Sequence, residues 1–555
     1  MTDIEITVGE LAARFLEACE IKAAFGVISI HNMPILDAFN SRKKIRFVPA
    51  RGEAGACNMA DAYARVSGRM GVCVTSTGTG AGNAAGAIIE AYTASTPLLH
   101  LTGQIDSAYL DKNLGFIHEA PAQLAMLKAV SKAAFRISHA DEALSILQEA
   151  TSFACTAPCG PVSIEIAIDV QASKLKFSTE ALRTIKPLEV LPVAPQQAEL
   201  MTIAQRLKSA KRPLLWVGGG ARHAAAQVQR FVKMGWGIVT SVQGRGVIAE
   251  THPSSLGAFN LQKPVEDFYA SCDAFLVVGS RLRSNETLSY TLNLPSPLYR
   301  IDADAAANQR AYPNALFARG DSALCLDALA DELENAMSID KSLLSDLANV
   351  KAKAIEQVDA GLGAYKTLKN ELNKQLDGNC WWVRDITLSN TMWGNRSFYL
   401  SNPRAGVHAL GGGIGQGLPM GIGAAIADAE HGLNTKTVAL IGDGGFILNP
   451  GELACAVQEN ANLLIIVMND GGYGVIKNIQ DAVYGSRHCF VDLHTPNFEL
   501  ICKSMNAKHF KLDAVEKTAE ILEAALKESG PTMIEVDMHA WGPFVAKFAG
   551  PPKKH

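Results

Sequence analysis

The sequence predicts an α/β protein built from three doubly wound parallel-sheet domains. Three observations carry that expectation. Short β-rich runs alternate with longer amphipathic helical runs along the whole chain, the pattern of strands joined by helical crossovers. At 555 residues the chain exceeds what one hydrophobic core serves. The runs also group into blocks at about residues 1–175, 190–345 and 360–555, and the first and third blocks match in size and layout. No internal repeat of short period is visible.

In the first block "AAFGVIS", "GVCVTST", "PLLHLTG" and "PVSIEIA" read as buried strands. "GELAARFLEACE", "EAGACNMADAYARVSG" and "NAAGAIIEAYTAS" read as helices. A Pro- and Val-rich connection, "KPLEVLPVAPQQ", follows. The second block has the strands "PLLWVGGG", "WGIVTS", "AFLVVGS" and "LYRIDAD" and closes in a charged helical stretch from Ala328 to Gly361. The third holds two apolar strands, "VALIG" and "LLIIVMN", with a helix between them, and a later strand "GPTMIEVDM". The end, "MHAWGPFVAKFAGPPKKH", suits either a cover over a site or a disordered tail.

Composition excludes several functions. A net charge of −4 gives no electrostatic case for nucleic acid or an acidic membrane. No 18-residue run is free of polar residues, so no membrane span is expected. The N-terminus is acidic and amphipathic, unlike a signal peptide. The 11 cysteines are scattered, and only Cys155 and Cys159 lie close together; buried free thiols in a reducing cytoplasm are the expectation.

The chemistry concentrates between Gly442 and Gly472. Two strands each end in an acidic, glycine-rich turn, Gly442-Asp443-Gly444 and Asn469-Asp470-Gly471-Gly472. In doubly wound sheets such turns point to the ligand-binding edge. Glycines there let the backbone approach a ligand, and the amides at the next helix start suit a phosphate. Two carboxylates where phosphate is expected make sense with a divalent cation between them, since magnesium takes one or two carboxylates plus phosphate oxygens. Either turn alone reads as an ordinary helix-capping turn. Both together, 27 residues apart as a strand–helix–strand unit requires, point to a metal–phosphate site.

This pair of turns resembles the thiamine-diphosphate motif. The resemblance implies Asp443 and Asp470 as side-chain ligands of Mg2+ and Gly472 as a backbone carbonyl ligand, although many members have asparagine where Asp470 stands. A second segment, "FVPARGEAGACNMADAYARVSG", is similar to the one in which a glutamate contacts the cofactor's aminopyrimidine; that residue is Glu53. "TSTGTGAGNAAGAIIEAYTASTPLLHLTGQ" resembles the glycine-rich loop and helix of the pyrimidine-binding domain. "HALGGGIGQGLPMGIGAAIA" resembles the loop that bends the cofactor, with Ile414 as the apolar wedge and the Gly412 carbonyl on the exocyclic amine. Thr387, Gly444, Gly445 and Phe446 are implied diphosphate contacts. The resemblance covers nearly the whole chain in the order pyrimidine-binding, middle and diphosphate-binding domain. That is the order of acetolactate synthase, pyruvate decarboxylase, benzoylformate decarboxylase and benzaldehyde lyase. It implies active sites shared between subunits of a homodimer or homotetramer.

Within the family the branch is set by fewer residues. His31, in "FGVISIHNMPILDAF", resembles the active-site histidine of benzaldehyde lyase, and Ser76 stands where the decarboxylases place one. Aligning Gln123-Leu124 puts His118 where related enzymes have a glutamine facing the cofactor. His31 and His118 are therefore candidates for proton transfer, together with Glu53. His252 aligns near a benzoylformate decarboxylase histidine, but its His-Pro pair also suits a plain turn. Tyr473, Val475, Ile476 and Ile479 are expected on the substrate wall, joined by Asn390, Thr391 and Trp393. That apolar wall fits an aromatic or branched acyl group. Ser284-Asn285-Glu286 replaces the Asp-Asp-Arg element associated with flavin, which argues against flavin. The implied activity is non-oxidative decarboxylation of a 2-oxo acid with carboligase capacity. Alternatives are benzaldehyde-lyase-like cleavage of hydroxyketones or an acetolactate-synthase-like carboligation without flavin. The third class weighed, a nucleotide-binding dehydrogenase or a scaffold, has only the imperfect glycine run of "WVGGGARHA" behind it.

Overall fold

The computed structural model describes residues 3–551. The strands are β1 (Asp3–Thr7), β2 (Ala23–Gly26), β3 (Arg46–Pro49), β4 (Gly71–Thr75), β5 (Leu98–Gln104), β6 (Ala133–Ile137), β7 (Pro161–Ala167) and β8 (Lys174–Ser178) in the first domain. The middle domain has β9 (Pro213–Val217), β10 (Gly237–Thr240), β11 (Ser255–Gly257), β12 (Ala274–Val278), β13 (Leu298–Asp302) and β14 (Leu316–Arg319). The third has β15 (Trp381–Arg384), β16 (Gly406–His408), β17 (Thr437–Gly442), β18 (Leu463–Asn469), β19 (Lys508–Leu512) and β20 (Thr532–Asp537).

Three six-stranded sheets result, with orders β3-β2-β4-β5-β7-β6, β11-β10-β9-β12-β13-β14 and β16-β15-β17-β18-β20-β19. Every strand pair within them is parallel. The first and third sheets thus share one topology, as their similar layout predicts, whereas the middle sheet has the 3-2-1-4-5-6 order of a dinucleotide-type fold. A short antiparallel pair, β1 and β8, closes the first domain.

The central strands are apolar on both faces because helices cover both sides, which is why they read as continuous hydrophobic runs. β12, β17 and β18 are buried along almost their whole length. The "KPLEVLPVAPQQ" stretch has no regular structure until the helix Gln197–Leu207. The charged stretch after β14 forms two helices, Ser322–Leu333 and Leu343–Leu362.

The first and third domains meet through two helices, Glu53–Ser67 and Gly417–His431. Their backbones approach so closely that a Cβ on Gly423 would lie 2.0 Å from the Met59 carbonyl oxygen. Arg46 bridges the same interface, with Nη1 3.0 Å from Glu430 Oε1 and Nη2 2.6 Å from Glu459 Oε2. The middle domain is tied to the third by Arg245, which pairs with Glu250 and donates to the Gly394 carbonyl, while Glu250 accepts from the Leu400 amide.

A buried polar cluster interrupts the first sheet. His100, in the central strand β5, is fully buried, with Nε2 2.9 Å from Thr75 Oγ1 and Nδ1 3.0 Å from Ser163 Oγ. Burial pushes its pKa down to about 4, so the folded state holds it neutral while the unfolded chain titrates near 6.5. Its contribution is therefore intact above about pH 6.5 and is lost as pH falls toward 4, reaching about 2 kcal/mol at pH 5. His100→Gln keeps hydrogen-bonding capacity without the charge. Urea unfolding at pH 7.5 and pH 5 is expected to show a pH loss smaller by about 2 kcal/mol in this variant than in the parent; equal losses would contradict the assignment.

Candidate active site

In the third sheet the strand order reverses between β15 and β17, the position where doubly wound folds open a crevice. β15 runs into Asp385, Ile386 and Thr387. β17 ends at Gly442, and Asp443 opens the short helix Asp443–Leu448. β18 ends at Asn469, next to Asp470. A cavity of about 440 Å³ lies over these ends. Thr387, Gly412, Ile414, Asp443, Gly444, Gly445, Asp470, Gly472 and Tyr473 all line it.

Asp443 and Asp470 come together there, although 27 residues of chain separate them. Burial and the adjacent Asp443 charge push Asp470 up to about 7, and burial raises Asp443 as well. Two carboxylates that disfavour each other's ionisation are a donor set that a divalent cation would relieve. Among the described residues no cluster of three or more His, Cys, Asp or Glu side chains could hold a metal. The pair therefore fits an ion completed by backbone and phosphate oxygens, as magnesium is in such sites.

The glycines around the pair make a cradle. A Cβ on Gly444 would stand 2.9 Å from the Tyr473 ring, one on Gly445 2.8 Å from Asp385 Oδ2, and one on Gly474 1.9 Å from Asp470 Oδ2. Gly412 has φ +90° with open space beside it. Phe446 stands apart: its ring is fully buried, 5.5 Å from Phe498, so only its main chain remains for the implied diphosphate contact.

Residues not anticipated from the sequence hold the loop that carries Gly412 and Ile414. Asp385 is completely buried and accepts from the amides of Ile386 (2.7 Å), Gly415 (3.0 Å) and Gly417 (3.1 Å). Burial still lifts its carboxyl to about 6. Asn449 Nδ2 donates to the Gly415 carbonyl at 2.6 Å. From the first domain, Glu90 accepts from the amides of Leu410 and Gly411, and Arg65 donates to the His408 carbonyl at 2.6 Å. The signal for Glu90 was present: it is the one acid in the apolar helix Thr79–Ala94.

The other candidates form a second cluster, on the first domain, around the start of that helix. Glu53 opens the helix Glu53–Ser67, and its Oε2 accepts from Asn83 Nδ2 at 3.2 Å. His31 and His118 lie edge to face, with ring centroids 5.1 Å apart. His118 has φ +67°, and its carbonyl oxygen crowds Gly78, where a Cβ would come within 2.2 Å. His31 is buried, and its Nδ1 and the neighbouring Ser76 Oγ have no hydrogen-bond partner. Burial, then the nearby His118, holds the His31 imidazole pKa below its usual value. Neither Glu53, His31 nor His118 lines the third-domain cavity of the same chain. Within one chain the candidate residues thus fall into two groups on two domains.

Several expectations for the substrate wall change. Val475 and Ile476 line the cavity, joined by Leu388, Met468 and Met538. Trp393 does not: it is a core residue, fully buried 5.9 Å from Trp382, because the wide helical turn Asn390–Gly394 directs its indole into the domain. Asn390 is likewise buried, and Thr391 does not line the cavity. Ile479 is absent from the lining and faces the C-terminal segment instead, with room of 3.9 Å to a Cβ on Gly550. His252 accepts from the Ser254 amide through Nδ1, the geometry of a turn. The tail is anchored through Phe544: Tyr365 stacks on Phe544 at 4.2 Å and donates to the Gly542 carbonyl. Residues 552–555 lie outside the described chain.

A second cavity, about 300 Å³, sits at the switch point of the middle sheet and is lined by Arg222, Arg281, Arg283, Arg310 and Arg404 among others. Glu286, from the segment that replaces the flavin element, turns inward there and accepts from the Val242 amide.

Comparison with known proteins gives three family models, one on each domain. Residues 6–126 match "Thiamine pyrophosphate enzyme, N-terminal TPP binding domain", residues 200–329 the central domain of the same enzymes, and residues 389–536 their C-terminal TPP binding domain. The chain is 30% identical over 538 residues to a probable 2-ketoarginine decarboxylase, AruI, of Pseudomonas aeruginosa, covering 96% of this chain and 94% of that protein. It is 26% identical to a probable acetolactate synthase large subunit of Methanococcus aeolicus, over 95% of this chain and 91% of the relative. The identity is also 26% with acetolactate synthase isozyme 1 large subunit of Escherichia coli, over 96% and 94%.

Proposed function

Because the chain belongs to the thiamine pyrophosphate enzyme family, we propose that it decarboxylates a 2-oxo acid bearing an aromatic or branched side chain, non-oxidatively and with carboligase capacity. The observation that carries this reading is the lining of the third-domain cavity: its only charged groups are Asp443 and Asp470, and its wall is Ile414, Met468, Tyr473, Val475, Ile476 and Met538. Once those two acids hold a metal, no carboxylate in that lining remains for a cationic substrate. Within this half of the site a guanidinium of the kind 2-ketoarginine carries would meet only apolar side chains, at a cost of several kcal/mol unless the other half supplies an acid.

The proposed roles of the residues are these. Asp443, Asp470 and the Gly472 carbonyl hold Mg2+, and the amides that open the helix Asp443–Leu448 receive the diphosphate beside Thr387. Bound thiamine diphosphate supplies a carbon nucleophile and an electron sink for the departing carboxylate. Ile414, on its pinned loop, and the Gly412 carbonyl would contact the bound cofactor. Glu53 bonds to the aminopyrimidine and holds the proton that activates it. Because neither Glu53, His31 nor His118 lines the metal cavity of its own chain, this reading forms the complete site between two copies, as a homodimer or homotetramer. His31, whose pKa burial lowers, and His118 beside it would exchange a proton with the substrate oxygen.

A second reading rests on this histidine pair and on Ser76: benzaldehyde-lyase-like cleavage of hydroxyketones, or carboligation of the acetolactate-synthase kind without flavin. The 11 free cysteines, with no disulfide among the described residues, fit a reducing cytoplasm, and no described helix is long and apolar enough to cross a membrane. A substrate panel of benzoylformate, branched 2-oxo acids, pyruvate, 2-ketoarginine and benzoin, followed by carbon dioxide and aldehyde release, separates the readings. Benzoylformate or a branched acid is expected to exceed 2-ketoarginine in kcat/KM by about 100-fold. Preference for 2-ketoarginine would overturn the apolar assignment, and benzoin cleavage without carbon dioxide from any acid would favour the lyase.

A further inference from the structure

The geometry points to Glu452 as the positioning residue for Glu53. This inference rests on the reading of Glu53 as the acid that activates the cofactor. The helix that begins at Glu53 has no cap of its own: its N-cap is Gly52, which has no side chain to offer the first-turn amides. The two amides just before the helix, of Arg51 and Gly52, do find a side-chain acceptor, and it comes from the third domain. Glu452 Oε1 accepts from the Arg51 amide at 3.0 Å and the Gly52 amide at 3.1 Å, and its Oε2 lies 3.1 Å from the Arg51 amide. The Glu452 side chain is 2% exposed, so a carboxylate has been brought into a dry interface to meet two backbone donors.

The surrounding residues leave space for that contact and hold it. Gly55, one turn into the helix, lies so close that a Cβ there would stand 2.2 Å from Glu452 Oε1, and the other atoms it would meet belong to Glu452 as well. Arg51 reaches the same third-domain helix, donating from Nη2 to Gln458 Oε1 at 2.8 Å. A carboxylate at a helix N-terminus also interacts favourably with the helix dipole. The two amides it fixes belong to the residues immediately before Glu53, so Glu452 sets where the Glu53 side chain starts. Glu452 follows directly on the metal turn: Asp443–Leu448 leads through Asn449, which holds the Gly415 loop, into the helix that Glu452 opens. One segment thus carries a metal ligand for its own cavity and the support for an acid on the neighbouring domain. Nothing in the sequence pattern distinguishes Glu452 from an ordinary helix N-terminal acid.

The test uses the full-length protein loaded with Mg2+ and thiamine diphosphate. The readouts are deuterium exchange at C2 of the bound cofactor, measured by NMR after acid quench, and cofactor affinity from tryptophan quenching. Glu53→Gln is expected to slow exchange by about 100-fold or more. Glu452→Ala, which frees the two amides, is expected to slow it by at least about 10-fold with affinity changed less than about threefold. Glu452→Gln retains a carbonyl that can accept from both amides and is expected to restore exchange to within about threefold of the parent. Gly55→Ala is the second variant: its methyl displaces the Glu452 carboxylate while alanine suits the helix, and it is expected to match Glu452→Ala even if the latter fails to fold. Parent-like exchange in Glu452→Ala or Gly55→Ala, with Glu53→Gln slow, would overturn the positioning role and leave the cofactor reading standing. Parent-like exchange in Glu53→Gln would overturn that reading and this inference together.

Discussion

Glu53→Gln is expected to lower turnover by about 10²–10⁴-fold while thiamine diphosphate still binds with near-parent affinity. The substitution changes little in the free protein. The glutamine carbonyl can still accept from Asn83 Nδ2, as Glu53 Oε2 does at 3.2 Å, and the residue remains the first of its helix. What is lost is a group that can hold and release a proton beside the aminopyrimidine. In the proposed reading binding is carried by the other domain, through Asp443, Asp470 and the glycine cradle, so affinity and turnover should separate. The measurement is kcat at saturating cofactor on the best acid of the substrate panel, alongside the cofactor dissociation constant. A kcat within about threefold of the parent would remove Glu53 from the mechanism.

Removing a metal carboxylate should act with opposite sign in the free and loaded protein. Asp443 is buried against Asp470, and each suffers from the other's charge. In chelator-treated protein Asp443→Asn removes that repulsion and is expected to raise stability by about 1–2 kcal/mol. With Mg2+ and thiamine diphosphate present the same change replaces a charged ligand by a weaker neutral amide and is expected to weaken cofactor binding by at least about 100-fold, or about 2.7 kcal/mol. Thermal melts with and without Mg2+ and cofactor should therefore cross: the variant melts higher when stripped and lower when loaded. Asp470→Asn should be milder, within about tenfold, since asparagine stands at this position in many members of the family that the turn resembles, whereas the Asp443 position keeps its carboxylate. Chelation of the parent should reproduce the loaded-state loss. A variant Asp443→Asn that binds cofactor as tightly as the parent, in a magnesium-dependent way, would move the metal elsewhere.

The elements legible in the sequence were those with two apolar faces. β9, β12, β17 and β18 sit inside their sheets and read as uninterrupted hydrophobic runs. The strands passed over include all six sheet edges: β3, β6, β11, β14, β16 and β19. Edge strands such as Lys508–Leu512 pair on one side only, tolerate charge and are short, so their composition does not distinguish them from loops. The site divides in the same way. Asp443, Asp470 and the glycines near them carry a local pattern because each strand-end turn is built from adjacent residues. Trp393 was misassigned to the wall because an indole's type says nothing about which side of a helical turn it leaves from. Asp385 and Glu452 were missed because their partners, backbone amides 30 and 400 residues away, are defined only by the fold.

The sequence alone determined the three-layer α/β architecture, the family and the acidic turns, since these follow from periodicity and from residue types that the chemistry needs at adjacent positions. Tertiary structure alone decided which carboxylates support the loops, that Phe446 and Trp393 belong to the core, and that Glu53, His31 and His118 stay outside the metal cavity of their own chain. The physical reason is range: hydrophobic period and turn chemistry act over a few residues, whereas a buried carboxylate is placed by whichever distant amides its burial obliges it to find.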